Sequence, residues 1–275
     1  MRSFIPSYEM RTPKSLAEAL ELLAANPGAW RPFAGGTDLM VLLEAGKLDH
    51  RRFLNIWNLP VLRGITVVAD FVTLGALTTY TEVLAQEVFE REFPLLTAAA
   101  RITGGIATQN RGTIGGNVVN ASPAADTPPA LLVYEAELEL ISQRGSRWLP
   151  YHEFHVGYRQ TRLQPDELLA RIRLRRRTSR WSQYYRKVGT RRAQAISKVC
   201  LAALLDRKTG EARVAVGSVA PVPLRCFRTE RAILDRSDPL PVLAQEMAPI
   251  DDMRSTAAYR TRVAQNLLRD FLDGR

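Results

Sequence analysis

Two short stretches almost free of side-chain bulk constrain this chain more than anything else in it. One is Ala34-Gly35-Gly36-Thr37-Asp38-Leu39. The other is Thr113-Ile114-Gly115-Gly116-Asn117, inside a small, polar segment from Asn110 to Asp126 that lies between two apolar segments. A glycine lets backbone N–H groups approach a bound oxyanion with no Cβ in the way. The first pair also opens a predicted helix, whose N-terminus favours negative charge. If the two stretches converge, they can cradle a diphosphate from both sides. Taken singly, each also reads as an ordinary tight turn. Neither matches G-x-G-x-x-G, and G-x-x-x-x-G-K-[ST] occurs nowhere, which disfavours a Rossmann site and a Walker A site.

The rest of the chain reads as mixed α and β. Ser15 and Glu18 have capping-box spacing, and Leu16, Leu20 and Leu23 recur at helical period until Asn26-Pro27-Gly28. Trp30 to Ala34 reads as a strand, Leu39 to Gly46 as a helix with Thr37 or Asp38 as its cap, and Phe53 to Trp57 as a strand. Residues 64–69 and 71–77 form a predicted hairpin, Pro94 to Ile102 a helix ending at Gly104-Gly105, and Glu137 to Leu149 a second hairpin around Arg144-Gly145. Further strands are expected at 167–175, 181–188, 195–206 and 211–219. A C-terminal amphipathic helix carries Tyr259, Val263, Leu267, Leu268 and Phe271 on one face. Asp126, just before Thr127-Pro128-Pro129 and an apolar run, can cap a helix or accept hydrogen bonds from sugar-like hydroxyls, with Asn120 and Ser122 as further polar contacts or loop-shaping residues. The 275 residues, 46% apolar, suffice for about two domains, with a boundary placed near 170–178.

Charge and cysteine content exclude several chemistries. Cys200 and Cys226 are the only thiols, too few for a four-ligand zinc or iron–sulfur site. His152 and His155 are three apart, without a metal-type partner pattern. No residue set reads as a nucleophile or a general acid–base pair. The net charge is +10, and only five of the 38 basic residues are lysine. The excess concentrates between Arg171 and Arg192. Such a run can meet an anionic cofactor, an acidic partner or nucleic acid, or be a solvated strand face. No apolar run is long enough to span a bilayer and the N-terminus lacks a signal-peptide core, so a cytoplasmic location is expected.

With AGGTDL at 34–39 and TIGGNVVNASPAAD at 113–126, the chain resembles the FAD-binding medium subunit of molybdenum hydroxylases, the xanthine dehydrogenase and carbon monoxide dehydrogenase medium-chain family. PDELL at 165–169, YRKVGTRRAQAISKV at 185–199 and GSVAPVPLR at 217–225 agree in order, so the resemblance spans essentially the whole chain. It implies an α+β fold: a two-part, vanillyl-alcohol-oxidase-like FAD-binding domain over 1–175 (parts 1–55 and 56–175). A smaller α+β domain over 176–275 follows, with a β-sheet and C-terminal helices. It implies FAD as cofactor. Pro32, Phe33, Ala34, Gly35, Gly36, Thr37, Asp38 and Leu39 would wrap the diphosphate, and Thr113, Ile114, Gly115, Gly116 and Asn117 would complete the pocket. Asp126 would contact the ribityl side, Thr103 and Leu169 would line the adenine or ring environment, and Lys187 would supply a nearby cation.

The implied activity is electron transfer rather than bond cleavage in a substrate. Electrons would arrive from [2Fe–2S] clusters on a small subunit, fed by a large molybdopterin-binding subunit, and leave to NAD or another acceptor. No nucleic acid and no membrane span belong to that picture. Two other function classes compete: a non-catalytic module binding RNA or another polyanion through 171–192, with steep salt dependence, and a stand-alone flavin oxidase.

Overall fold

In the computed structural model, the described residues are 7–176, 181–191 and 194–274. The N-terminal part builds a three-stranded parallel sheet in the order Glu9–Arg11, Arg52–Asn55, Arg31–Phe33. Helices Leu16–Ala25 and Leu39–Glu44 connect its strands. Ser15 caps the first helix by accepting from the Glu18 N–H at 3.2 Å, while the Glu18 carboxylate reaches back one residue further than a standard capping box, to the Lys14 N–H. Leu23 packs with Trp30, Leu54, Leu59 and Leu62 into a small core.

A five-stranded antiparallel sheet follows, ordered Ile65–Val67, Phe71–Gly75, Leu168–Arg175, Glu137–Ser142, Gly145–Pro150. Both predicted hairpins are present in it. Its central strand explains the start of the basic run. Ile172 and Leu174 enter the main core, while Arg171 and Arg173 alternate to the opposite face. There Arg171 pairs with Glu139 and Arg173 with Glu137, each at 2.7 Å, and Arg173 lies 4.0 Å from the Trp148 ring. Arg176 pairs with Glu92. The first arginines of the run are therefore neutralised across the sheet rather than displayed as a cationic strip. Arg177, Arg180 and Arg192 lie outside the described residues.

The glycine pair at 115–116, which could read as a tight turn, lies inside a helix. Ile106–Arg111 and Ile114–Val119 are short helices, the second capped by Thr113. Small residues permit this, because Gly115 lies so close to Ala76 that an added Cβ would sit 2.5 Å from the Ala76 Cβ. Asp126 does not cap the next helix, Pro128–Val133, whose N-cap is Thr127. Asp38 holds the N-cap position of Leu39–Glu44 but makes no capping bond through its side chain.

The C-terminal part is a four-stranded antiparallel sheet, Ser182–Val188, Val199–Asp206, Glu211–Gly217 and Leu224–Arg225, covered by helices Phe227–Leu234, Pro239–Glu246 and Ala257–Leu272. The two strands expected at 195–206 and 211–219 are trimmed to 199–206 and 211–217. Every residue of Val199–Asp206 is buried. Val199, Leu201, Ala203 and Leu205 face the C-terminal helices, and Ala202 and Leu204 face the core of the preceding part. The long helix buries Leu267, Leu268 and Phe271 as expected and Val263 in part; Ala264 and Arg260 turn in besides, and Tyr259 turns outward. Arg260 is buried because its Nη1 donates to the Lys198 and Ser218 carbonyls at 2.9 and 2.8 Å and its Nη2 to Asp252 at 2.7 Å. The two histidines expected as a weak pair part company: His155 Nε2 lies 2.8 Å from the Val118 carbonyl, and burial lowers its pKa.

Two arginines join the parts. Arg213 and Arg225 donate to the Val133 and Leu132 carbonyls at 3.1 and 3.0 Å, the open C-terminal end of Pro128–Val133. Arg225 is itself clamped by Glu230, which also accepts the Val214 N–H. Arg225→Met strands a buried carboxylate and a helix carbonyl, so urea unfolding should show a loss of about 3–5 kcal/mol. A loss within ~0.5 kcal/mol, the range of ordinary surface substitutions, would contradict this account.

Candidate functional site

A cavity of about 730 Å³ opens between the three-stranded N-terminal part, the short helices and the edge of the C-terminal sheet. That size is in the range of small-molecule and cofactor sites. The two glycine-pair stretches meet here. Gly35 approaches the Arg111 backbone so closely that an added Cβ would sit 1.7 Å from the Arg111 carbonyl oxygen. Gly36 has φ +76° and lies over the Phe33 ring, where a Cβ would come within 2.5 Å. Both glycines are therefore demanded by the protein's own packing, whatever the cavity holds.

The two stretches differ in what they offer. Among the described residues, the N–H groups of Gly35, Gly36, Thr37 and Asp38 have no protein acceptor; the loop's inward bonds begin at the Met40 N–H, which donates to the Gly36 carbonyl. Four of the five N–H groups of the second stretch, all but that of Thr113, are engaged. Ile114 donates to the Thr78 carbonyl, Gly115 to Ala76, Gly116 to the Thr113 hydroxyl and Asn117 to the Thr113 carbonyl, at 2.9–3.0 Å. The backbone cradle expected from both sides is thus available from one side only. The second stretch contributes shape instead. A Cβ at Gly116 would meet only the Thr113 hydroxyl, so a larger side chain there would occupy the cavity.

Of the residues singled out in the sequence, Pro32, Ala34, Gly35, Gly36, Thr37, Asp38, Leu39, Thr103, Thr113, Gly115, Gly116, Asn117, Asp126 and Leu169 line this cavity. Phe33, Ile114 and Lys187 do not. Phe33 lies beneath Gly36, Ile114 is fully buried, and Lys187 stands behind Asp126. Asn120 and Ser122 are on the wall too. Residues missed in the sequence include Tyr80, Ile106, Arg159 and the Gln194–Ile196 turn of the C-terminal part. A third glycine pair, Gly104-Gly105, read above as a helix stop, was the one available signal: Gly104 has φ +61° and both glycines line the cavity. Nothing local marks Tyr80, an aromatic at the first turn of Tyr80–Leu84 after a capping box formed by Thr79 and Glu82.

Asp126 is the ionisable centre of the wall. Its Oδ2 accepts from Lys187 Nζ at 2.7 Å, and Lys187 Nζ also lies 3.4 Å from the Ile102 carbonyl. Its Oδ1 is buried with no hydrogen-bond partner among the described residues. The Tyr185 hydroxyl donates to the Asp126 main-chain carbonyl at 2.9 Å. Burial raises the carboxyl pKa to about 6, although Lys187 pulls it down. Asp38 Oδ2 is likewise buried and unpartnered.

A cavity with free backbone donors on one wall and an under-satisfied buried carboxylate on another suits a ligand carrying both anionic and hydroxyl groups. Fold and cavity together define an α+β protein built to hold a nucleotide cofactor. The family described as the FAD binding domain in molybdopterin dehydrogenase matches residues 6–175, and the CO dehydrogenase flavoprotein C-terminal domain matches 183–274. The chain is 33% identical over 270 residues to the xanthine dehydrogenase FAD-binding subunit of Escherichia coli O157:H7, covering 94% of this chain and 92% of that one. It is 27% identical to the carbon monoxide dehydrogenase medium chain of Hydrogenophaga pseudoflava, over 98% and 96% of the two chains. Carbon monoxide dehydrogenase from that organism, lacking the Mo-pyranopterin moiety of its cofactor, superposes with a TM-score of 0.92 at 26% identity, over 98% and 97% of the chains. The chain therefore belongs to the FAD-binding subunit family of the molybdenum hydroxylase-type dehydrogenases; it is an oxidoreductase subunit, and its cofactor is FAD.

The raised carboxyl makes a pH prediction. In the FAD-free protein, carbon-13 NMR of labelled aspartate should show one carboxyl titrating near 6. Lys187→Met should push it higher still. Because the folded value lies above the unfolded one, the stability this group contributes is fully present below about pH 4 and lost as pH rises through the folded value. Wild type should accordingly lose stability relative to Asp126→Asn over that interval. A carboxyl titrating at the ordinary aspartate position would rule this out.

Proposed function

We propose that the cavity between the two parts holds FAD and that the chain relays electrons through it. They would come from [2Fe–2S] clusters on a small partner subunit, loaded by a large molybdopterin-binding subunit, and go to an external acceptor such as NAD. The single observation that carries the site assignment is the row of four N–H groups without a protein acceptor among the described residues, Gly35 through Asp38, in a cavity whose wall also holds the buried Asp126 carboxylate. FAD supplies the redox chemistry when bound, accepting electrons one or two at a time.

Everything else is positioning by this chain's own residues. The free N–H groups of Gly35–Asp38 suit the diphosphate, since oriented backbone donors bind anions without a cationic side chain. Pro32, Ala34 and Leu39 shape that end, and Phe33 supports Gly36 from below. Gly115, Gly116 and Asn117 leave room beside it, Ile114 anchors their helix through the Thr78 carbonyl, and Thr113 caps it. Asp126 suits the ribityl side of the cofactor as a wall residue, its Oδ1 buried and without a partner among the described residues. Lys187 holds Asp126 in place, and Thr103 and Leu169 complete the walls. We divide the chain at about residue 175, with the cofactor in 1–175 and Lys187 and Gln194–Ile196 reaching over from 176–275. Strand and sheet membership supports that division.

The cysteines are consistent with that partner arrangement. Cys200 and Cys226 are buried with pKa values pushed well up, and they are too few to hold a cluster, so clusters must come from other chains. Against the polyanion-binding alternative, Arg171, Arg173 and Arg176 of the basic run are ion-paired to carboxylates.

The purified protein should be yellow, or take up added FAD, with a flavin absorption spectrum. Gly116→Val should keep its secondary structure by circular dichroism and lose at least ~10-fold in FAD affinity, about 1.4 kcal/mol. Unchanged affinity would mean that the cofactor lies elsewhere. Co-expression with an iron–sulfur and a molybdopterin-binding subunit should yield a complex whose flavin bleaches on substrate addition. The chain alone should turn over no organic substrate.

A further inference from the structure

One ionisable group on the cavity wall has no part in carrying electrons. Asp126 is only 8% exposed, and its two oxygens are treated unequally. Oδ2 receives the Lys187 ammonium from strand Ser182–Val188, and Oδ1 receives nothing from the described residues. The other titratable groups packed around it are Tyr185 from the same strand, Tyr80 from helix Tyr80–Leu84 and Cys200 from strand Val199–Asp206. Burial pushes all three upward, so they stay neutral, and the Tyr185 hydroxyl serves the Asp126 main chain rather than its carboxylate. Lys187 is thus the single cation in contact with this carboxylate among the described residues.

A bare oxygen on a buried carboxylate favours protonation, because the ionised form lacks a donor there. Negative charge added to the same cavity acts through a poorly screening medium and favours protonation further. We propose that Asp126 takes up a proton at Oδ1 when electrons are loaded into the cavity, so that the Asp126–Lys187 pair balances the added charge. This rests on the FAD-holding reading above.

The step is balanced as follows. The carboxylate and a proton from bulk water become a carboxylic acid, one O–H bond forms, and no bond in the protein breaks. The electrons come from an iron–sulfur protein, or from dithionite in the laboratory. The pair, neutral beforehand, then carries the single positive charge of Lys187, which offsets one negative charge in the cavity. When the electrons leave to the acceptor, the proton returns to water. A carboxyl that already titrates near 6 needs only a modest push to cross neutrality.

The test uses the FAD-loaded chain reduced with dithionite at neutral pH. Reduced-minus-oxidised infrared spectra should show a protonated-carboxyl band that shifts on carbon-13 labelling of aspartate. Asp126→Asn should abolish that band and lower proton uptake by up to about one per two electrons. In Lys187→Met, which keeps the carboxyl and removes its cation, the carboxyl should already be protonated before reduction, and the difference band should shrink. If Asp126→Asn fails to retain FAD, the labelled wild-type spectrum decides alone. A wild-type protein that binds and reduces FAD with no aspartate band overturns the proposal and leaves the FAD site standing. A protein that binds no FAD overturns the site first.

Discussion

The contact between the Gly35 backbone and the Arg111 carbonyl is the constraint on which the site depends. There is no room for even one carbon between them. It draws the turn after the strand Arg31–Phe33 onto the end of the helix Ile106–Arg111, and the cavity is the space left beside that junction. The same contact leaves the N–H groups of Gly35–Asp38 pointing away from protein acceptors. Tight approach of two backbones and availability of donors are thus two results of one absence of side-chain bulk.

The C-terminal part is not an appendage to this arrangement. Val199–Asp206 is buried on both faces, against its own helices and against the core of the N-terminal part. Ala202 packs in the same core as the helix Pro128–Val133, and Arg213 and Arg225 fasten that helix by its open carbonyl end. The neighbouring strand Ser182–Val188 then carries Lys187 to Asp126. Packing between the two parts therefore sets the electrostatics of the cavity wall, so the carboxylate and its cation come from different parts of the chain.

Charge is distributed with the same economy of exposure. A net charge of +10 suggests a broadly cationic surface, yet two of the three arginines of the central strand, Arg171 and Arg173, are matched by Glu139 and Glu137 on the neighbouring strand. A basic run on one strand and acidic residues on its neighbour annul each other once the register is set. Arg260 goes further and becomes a core residue, bound to two carbonyls and Asp252.

The sequence by itself determined the elements with strong local signals. The period of Leu16, Leu20 and Leu23, both hairpins, the alternation around Ile172 and Leu174, and the glycine pairs were all legible, because each depends on neighbours within a few residues. Most of the residues that the family resemblance marked also line the cavity. What only tertiary structure decided depends on distant partners. Ile114–Val119 became helix with the Thr78 and Ala76 carbonyls accepting its first two N–H groups, which took those donors out of reach of any ligand. Arg260 turned inward because carbonyls at 198 and 218 were waiting for it. Tyr80, Gln194 and the pairing of Asp126 with Lys187 were invisible for the same reason: 61 residues separate that carboxylate from its cation, and no local pattern encodes a contact made across two folded parts.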